Sequence, residues 1–163
     1  MRYVRRVLQP GETIVYTTKL HWLIYARTIL LLIISVILLG VGLLINYDQN
    51  MTVAFGIGAV VFALVALFTG LRAFIRRATT ELAVTDHRVI YKTGLLSRHT
   101  IEMNRDKVES VDVNQTLLGR VFGYGTIIVR GTGGSLEPIR DIGDPLTFRS
   151  FITAGPSTRG TQD

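Results

Sequence analysis

The sequence predicts a membrane-anchored protein in which a hairpin of two transmembrane helices holds a small, mostly β domain. Two adjacent apolar runs without any charge predict the hairpin: Thr28–Tyr47, with 20 residues, and Met51–Leu71, with 21. A helix of that length rises roughly 30 Å, about the thickness of a bilayer hydrocarbon core. We place the spans at about 27–46 and 52–71. A buried hairpin in a soluble protein is disfavoured, because neither run has a charged edge to face water.

A strand is predicted ahead of the hairpin, over Thr13–Leu20, because this stretch is rich in β-branched and aromatic residues. Its position predicts that it joins the sheet of the β domain. The second apolar run carries small residues at i, i+4 spacing, and this side is expected to pack on the first helix. The pairs are Ala54/Gly58, Ala59/Ala63 and Ala66/Gly70. Neither run contains an ionisable residue, which disfavours a transport path.

Short predicted strands follow one another after the hairpin. They are Glu81–Val84, Arg88–Thr93, Ser97–Met103, Ser110–Asn114, Gly125–Arg130 and an edge strand at Ser135–Ile139, which contains Pro138. Asp144-Pro145 provides an N-cap and a proline at the first helical position, so a helix is expected through Leu146, Phe148, Phe151 and Ile152. Such a pattern is typical of a barrel or a sandwich. The expected division is an N-terminal segment (1–21), the hairpin (22–77), the β domain (79–153) and a flexible tail (154–163).

The net charge of +6 is confined to the part of the chain around the apolar runs. Residues 79–163 contain ten basic and ten acidic residues, whereas residues 1–78 contain eight basic and two acidic ones. A basic excess that flanks apolar segments indicates membrane topology, and it argues against a nucleic-acid partner. The loop between the runs has only Asp48, so both termini are expected to be cytoplasmic and the loop external.

Several motifs, taken in order, resemble a known family. Leu8–Glu12 precedes the hairpin, and the segments TTELAVTD (79–86), VESVDVNQ (108–115) and TLLGRVFGYGT (116–126) follow it, ahead of the Asp-Pro helix start. This arrangement resembles the small bacterial pleckstrin-homology-like (PH-like) membrane proteins of the YdbS-like family, over nearly the whole chain. The resemblance implies a PH-like fold of two near-orthogonal antiparallel sheets capped by the C-terminal helix. It also implies a multi-pass protein of the bacterial cytoplasmic (inner) membrane, and it implies little about activity.

No enzyme, cofactor or metal site is predicted. The chain has no P-loop, no nucleophile elbow and no HExxH helix, and tight turns explain its glycine-rich stretches. His21, His87 and His99 lie in different predicted elements without metal-ligand spacing, and there is no cysteine.

Lipid contact is predicted for the basic residues next to the apolar runs, which should converge on the cytoplasmic leaflet and its anionic headgroups. They are Arg5, Arg6, Lys19, Arg27, Arg72, Arg76 and Arg77. A purely topological role explains the same residues equally well. The first hairpin loop of the β domain, Thr85–Arg88, is a poorer candidate for headgroup binding, because it holds one acid and one reliable cation.

A glycine-flanked apolar segment is the candidate protein interface. Its members are Leu117, Leu118, Val121, Phe122 and Tyr124. Packing beneath the end of the barrel is the favoured expectation for them, and a surface for a partner or for self-association is the alternative.

Together these features predict a non-enzymatic binding or scaffold module at the cytoplasmic face of the membrane. Its expected partners are anionic membrane lipids and either a second copy or another membrane protein. The rival hypothesis is an accessory subunit whose hairpin packs in a larger membrane complex, in which substitutions at Gly58, Ala63 or Gly70 would be most harmful. A specific lipid-headgroup binder is a more distant alternative.

Overall fold

The computed structural model describes residues 2–44, 48–95, 99–132, 134–135 and 138–154. The chain divides into two compact units: residues 22–78 form a helical hairpin, and residues 1–21 together with 79–163 form a β domain. The N-terminal segment therefore belongs to the β domain, and the hairpin is an insertion within that domain. The predicted flexible tail lies outside the described residues, apart from Ala154.

The helical hairpin consists of α2 (Ala26–Leu44) and α3 (Gln49–Thr79), with a 3-10 turn over Trp22–Tyr25 ahead of α2. The Asp48 carboxylate accepts a hydrogen bond from the Gln49 N–H at 2.9 Å at the start of α3. The helices run antiparallel, since Ser35 Oγ donates to the Ala59 carbonyl at 2.7 Å and the Thr28 and Thr69 hydroxyls are 3.3 Å apart. The second helix continues to Thr79, beyond the predicted end of the span at Leu71.

Small residues form the seam between the two helices. The buried positions are Ser35 and Gly42 on α2, and Ala59, Ala66 and Ala73 on α3, so each helix contributes one residue in seven. The predicted packing of the small face is confirmed at Ala59 and Ala66 but is wrong at Ala54, which is exposed. Most of the large apolar side chains point outward, and both helices are long and apolar enough to cross a membrane.

The β domain contains two antiparallel sheets, consistent with a PH-like fold. The first has the order β1-β2-β3-β4, with β1 at Ile14–Thr18, β2 at Glu81–Thr85, β3 at Arg88–Thr93 and β4 at His99–Asn104. The second is built around β6 (Tyr124–Gly131), which pairs with β5 (Val108–Asn114) on one side and with β7 (Gly134–Ser135) and β8 (Ile139–Gly143) on the other. A short helix, α4 (Leu117–Phe122), connects β5 to β6, and α5 (Pro145–Thr153) follows β8.

The N-terminal strand pairs with β2, which confirms that it joins the sheet. Beyond β1 the same segment also reaches the second sheet. Leu20 forms an isolated bridge with Ile142, and Thr18 Oγ1 donates to the Gly143 carbonyl at 2.8 Å. The segment before the hairpin therefore links β2 of one sheet to β8 of the other.

The edge strand predicted at Ser135–Ile139 differs in the structure. β7 ends at Ser135, and β8 begins at Ile139 and continues to Gly143 along the same edge of β6. Pro138 lacks an N–H and lies just before β8, outside any strand. Ile139 and Ile142 are both buried although they are three residues apart, because Asp141 adopts a left-handed φ of 64° that bulges the strand. That bulge breaks the apolar alternation by which a strand is found.

The predicted C-terminal helix is confirmed as α5. The Asp144 carboxylate accepts the Thr147 N–H at 3.4 Å as the N-cap, and Pro145 is the first helical residue. Phe148 and Ile152 are buried in the main core, and Tyr16 of β1 stacks on Phe151 with ring centroids 4.6 Å apart. Leu146, which is also in the helix, is exposed.

A further helix, α1 (Arg2–Val7), was not predicted from the sequence. Its Val4 is buried against Ala83 and Ile90 on the face of the first sheet opposite the main core. The Glu81 carboxylate accepts the Val4 N–H at 3.2 Å at the start of α1. Burial alone would raise the pKa of Glu81, but this bond, nearby positive charge and the Tyr3 N–H together lower it. The first sheet is therefore covered on both faces.

Candidate functional site

The seven basic candidates separate between the two units of the structure. Arg5 and Arg6 lie exposed on α1, and Lys19 lies exposed after β1, all within the β domain. The other four belong to the hairpin, and three of these share one cleft. Proximity to the apolar runs in sequence is therefore not sufficient to place a basic residue in the shared cleft.

A cleft of about 600 Å³ lies along the seam, between the first turn of α2 and the last turns of α3. Arg27 enters it from α2, and Arg72 and Arg76 enter it from α3. Arg72 and Arg76 are four residues apart, so they project from the same face of α3, one turn from each other. Thr28 and Thr69, joined through their hydroxyls, also line the cleft, as do Ile24, Phe68 and Ala73.

The fourth arginine of the hairpin, Arg77, does not line the cleft. Its guanidinium carbon lies 5.8 Å from the centroid of the Tyr25 ring, within the range of a cation–π contact. This residue has the same charge as Arg76 and is its neighbour in sequence, but it serves a different contact. It is therefore a natural control for the cleft.

A second groove along the same seam, of about 430 Å³, is lined by no charged side chain. It includes Ala63, Leu67 and Phe74. Gly70 also lines this groove, but Gly58 and Gly70 both face α2 within the hairpin: an added Cβ would lie 3.6 Å from Leu38 Cδ1 at the first position and 3.0 Å from Thr28 Cγ2 at the second. Of the three positions proposed to report on an accessory subunit, only Ala63 is separable from the packing of the hairpin itself.

In the loop between β2 and β3, the guanidinium of Arg88 is paired with carboxylates and is not available to a ligand. Arg88 donates to both oxygens of Glu12, from Nε at 2.9 Å and from Nη2 at 2.8 Å. Its Nη1 donates to Glu102 at 2.6 Å, and its Nη2 also donates to the Val7 carbonyl at 2.8 Å. The reliable cation of this loop is thus held in an ion-pair network, which argues against headgroup binding there.

Glu12, the acid of the Leu8–Glu12 motif, is the buried member of that network, with a side chain only 2% exposed. Burial by itself would raise its pKa. The hydrogen bonds from Arg88, the Gln9 N–H and the Thr85 hydroxyl outweigh burial and lower the pKa to about 2. This motif residue therefore has a structural role, in which it ties the N-terminal segment to the β2–β3 hairpin.

The candidate protein interface is exposed rather than packed beneath the barrel. Leu117 and Val121 of α4 are 82% and 78% exposed, and Leu118 and Phe122 are exposed as well. The favoured expectation of packing was therefore wrong for these four residues. Tyr124 is half-buried and stacks on His21 with centroids 5.6 Å apart, so it does not belong to the exposed set. We call the four exposed residues the α4 patch.

Short-range contacts fix α4 with its apolar side chains facing outward. Thr116 caps its start by accepting the Gly119 N–H at 3.1 Å, and Gly123 ends it with a left-handed φ of 71°. Gln115 Nε2 donates to the Tyr124 carbonyl at 3.1 Å. Gly119 must be a glycine, since a Cβ there would lie 2.6 Å from the same carbonyl oxygen. The patch is thus displayed by a helix that is well tied to the domain.

No metal site arises among the residues that the structure describes. Within them, no three His, Asp or Glu side chains come together as a metal ligand set. His87 Nδ1 lies 2.8 Å from the Asp86 carboxylate, and His21 stacks on Tyr124. Both are satisfied by local contacts.

A family model described as Bacterial PH domain matches residues 27–154, which include most of the hairpin and of the β domain. The chain belongs to the bacterial PH domain family. PH-like domains are generally non-catalytic binding modules. Comparisons with curated proteins and with solved structures each gave no match. The matched region begins after β1. Glu12 and the N-terminal strand therefore lie outside the matched residues, although β1 pairs with β2 in the first sheet.

Proposed function

We propose that this bacterial PH domain protein is a non-enzymatic binding or scaffold module, anchored by α2 and α3 in the cytoplasmic membrane with both termini in the cytoplasm. The main support for this proposal is the composition of the outward faces of the two helices. They expose large apolar side chains such as Val36 and Leu67, while small residues occupy the seam. Lipid can cover such faces, and small residues at the seam are typical of helices that pack within a bilayer.

The insertion of the hairpin between β1 and β2 supports the proposed orientation. The chain enters the hairpin after β1 and returns to β2, which is the direct neighbour of β1 in the sheet. Paired strands lie about 4.8 Å apart, so the sheet can form only if both outer ends of the hairpin are on the same side of the membrane. The arginines at those ends, Arg27, Arg72, Arg76 and Arg77, favour the cytoplasmic side.

The mechanism that follows is placement. A domain confined to the membrane surface meets partners held at the same surface at a raised effective concentration. We propose that the α4 patch is the surface through which this domain binds a membrane-held protein. Arg120 is the one charged residue between Gln115 and Thr126, so the complementary surface is apolar with an acidic rim.

The absence of cysteine from the chain allows a direct test of orientation. A single cysteine at Gln49, the exposed first residue of α3, is expected to react with a membrane-impermeant maleimide in intact spheroplasts. A single cysteine at Ser150, exposed on α5, is expected to react only after the membrane is permeabilised. Labelling of each variant is measured by the mass shift of the protein on a gel.

The unmodified chain, which has no thiol, is the control for background labelling. If Ser150→Cys were labelled from outside, the orientation would be inverted. If both positions were labelled only after permeabilisation, the hairpin would not cross the membrane.

The α4 patch is tested by photo-crosslinking in cells. A photoreactive residue at Val121 is expected to give a discrete crosslinked product, whereas the same residue at Arg149, exposed on α5, gives none. Leu117→Glu in the Val121 background should abolish the product, because a carboxylate next to the contact opposes an apolar partner with an acidic rim. A product of equal yield from both positions would contradict a binding surface at α4.

The accessory-subunit hypothesis is supported by the uncharged groove of the hairpin, into which another transmembrane helix could pack. The same photoreactive residue at Ala63, which lines that groove, distinguishes the two functions. A discrete product from Ala63 and none from Val121 would favour the accessory subunit.

A further inference from the structure

The three-arginine cleft of the hairpin has the charge of an anion site. Arg27, Arg72 and Arg76 bring three positive charges to one end of the hairpin, from two different helices. Within the sequence of this unit the one carboxylate is Asp48, roughly 36 Å from Arg72 along α3; Arg76 makes a further contact of its own, so the inference rests on Arg27 and Arg72. The cleft therefore lies in a unit with a net charge of +3, four arginines less one aspartate, with the positive charge at this end.

Guanidinium groups are well suited to bind a phosphate. Each presents a planar fork of N–H donors that can bind two phosphate oxygens at once. Arg27 faces Arg72 and Arg76 across a cleft of about 600 Å³, large enough for a phosphodiester group with its neighbouring alcohol. A single guanidinium could be explained by topology alone, but Arg27 and Arg72 come from two helices and line the same cleft, an arrangement suited to binding one anion.

The surface below the arginines is apolar, which distinguishes a lipid from a soluble phosphate. Phe68 lines the cleft, and it is exposed. Val61 and Val65 precede Phe68 by seven and three residues, so helical spacing places them on the same face of α3, and both are exposed. A basic head of the site followed by an apolar stripe fits a ligand with an anionic headgroup and an acyl chain.

We infer that the cleft binds the phosphate headgroup of an anionic phospholipid, with Arg27 and Arg72 holding the phosphate oxygens. The acyl chain lies along the stripe formed by Phe68, Val65 and Val61. Basic pockets between transmembrane helices on the cytoplasmic side are suited to such headgroups. This inference rests on the proposed placement of the hairpin in the membrane, and it adds a defined lipid site to a general attraction of cations to the surface.

The test is native mass spectrometry of the full-length protein in a mild non-ionic detergent, titrated with phosphatidylglycerol. Arg27→Gln/Arg72→Gln is expected to raise the dissociation constant about tenfold or more, since charged hydrogen bonds each contribute at least about 1.5 kcal/mol. The matched control, Arg5→Gln/Arg6→Gln, removes the same two charges from exposed positions of the β domain and should leave binding unchanged. Arg77→Gln, which lies beside the cleft in sequence but contacts Tyr25, should also leave it unchanged.

Three further titrations distinguish a phospholipid site from a general attraction to charge. Arg27→Lys/Arg72→Lys keeps the charge but loses the fork, so it should bind more weakly than the wild type and more tightly than the glutamine variant. Phosphatidylcholine should bind weakly to the wild type. Glycerol 3-phosphate should bind much more weakly than phosphatidylglycerol, because it lacks the acyl chains.

Equal losses in the cleft variant and in the Arg5/Arg6 control would overturn the site, since binding would then follow net charge alone. Unchanged binding in the cleft variant would overturn it as well. Glycerol 3-phosphate bound as tightly as the lipid would overturn the lipid as ligand. Because the assay is made in detergent, its outcome is separate from that of cysteine labelling, which tests the membrane placement.

Discussion

Replacing Arg88 with methionine is expected to lower the free energy of unfolding of the β domain by about 3–5 kcal/mol, because it leaves a buried carboxylate without its counter-charge. The Glu12 side chain is only 2% exposed and receives two hydrogen bonds from Arg88. Without them the carboxylate keeps the Gln9 N–H and the Thr85 hydroxyl as donors, which do not neutralise it. The measurement is a urea titration of the full-length protein in non-ionic detergent, followed by near-ultraviolet circular dichroism of the packed tyrosines.

The matched control removes the charge of Glu102, the more exposed carboxylate that pairs with the same arginine. Glu102 is 31% exposed and accepts a single bond from Arg88, so Glu102→Gln should cost less than about 1 kcal/mol. The double variant Glu12→Gln/Arg88→Met removes both buried charges and should recover part of the stability lost in Arg88→Met. Equal effects of Arg88→Met and Glu102→Gln would contradict the assignment of Glu12 as the partner that matters.

The second expected result is that acid removes about 3 kcal/mol more stability from the wild-type protein than from Glu12→Gln. In the folded protein the pKa of Glu12 is lowered from 4.5 to about 2, whereas the unfolded chain keeps the ordinary value. Between these values the unfolded state binds the proton and the folded state does not. The stabilisation by Glu12 is therefore fully present above pH 4.5 and disappears as the pH falls through about 2.

Glu12→Gln is the suitable reference, because its position 12 has no proton to bind in this range. Glu81 and Asp86 also have lowered pKa values, and they remain in both proteins, so the difference between the two pH profiles isolates Glu12. The measurement is the same urea titration repeated at several pH values. Parallel profiles for the two proteins would show that the Glu12 carboxylate is not held in the ionised form by Arg88.

These two results also bear on topology, because the Glu12–Arg88 ion pair joins the segment before the helical hairpin to the segment after it. Glu12 belongs to the segment before the hairpin and Arg88 to the segment after it. The backbone of the two segments is also joined beside this pair, since Thr13 and Asp86 exchange hydrogen bonds. The domain therefore forms only when both outer ends of the inserted hairpin come together, as the proposed topology requires.

Elements with local sequence signals could be predicted from the amino-acid sequence. Two uncharged runs predicted α2 and α3, since helix length and charge exclusion depend only on neighbouring residues. Asp144-Pro145 predicted the start of α5 for the same reason, because a cap is made within one turn. The family match agrees with the PH-like fold implied by the order of the motifs.

Contacts between residues that are distant in the chain could not be predicted from the sequence, because they depend on how the elements pack. Arg27 is more than forty positions from Arg72 in the chain, and only the antiparallel register of the helices puts them in one cleft, whereas Arg77 is turned to Tyr25. β8 was not predicted because the bulge at Asp141 interrupts its apolar alternation. The six-residue helix α1 was not predicted because its stabilising contacts come from Glu81 and Ala83 in another segment. The exposure of α4 was also undetermined, since apolar residues such as Leu117 and Val121 have the same sequence signal whether a core covers them or not. Local propensity is enough to predict a helix or a strand. The residues that pack against it come from distant parts of the chain and cannot be identified from the neighbouring sequence.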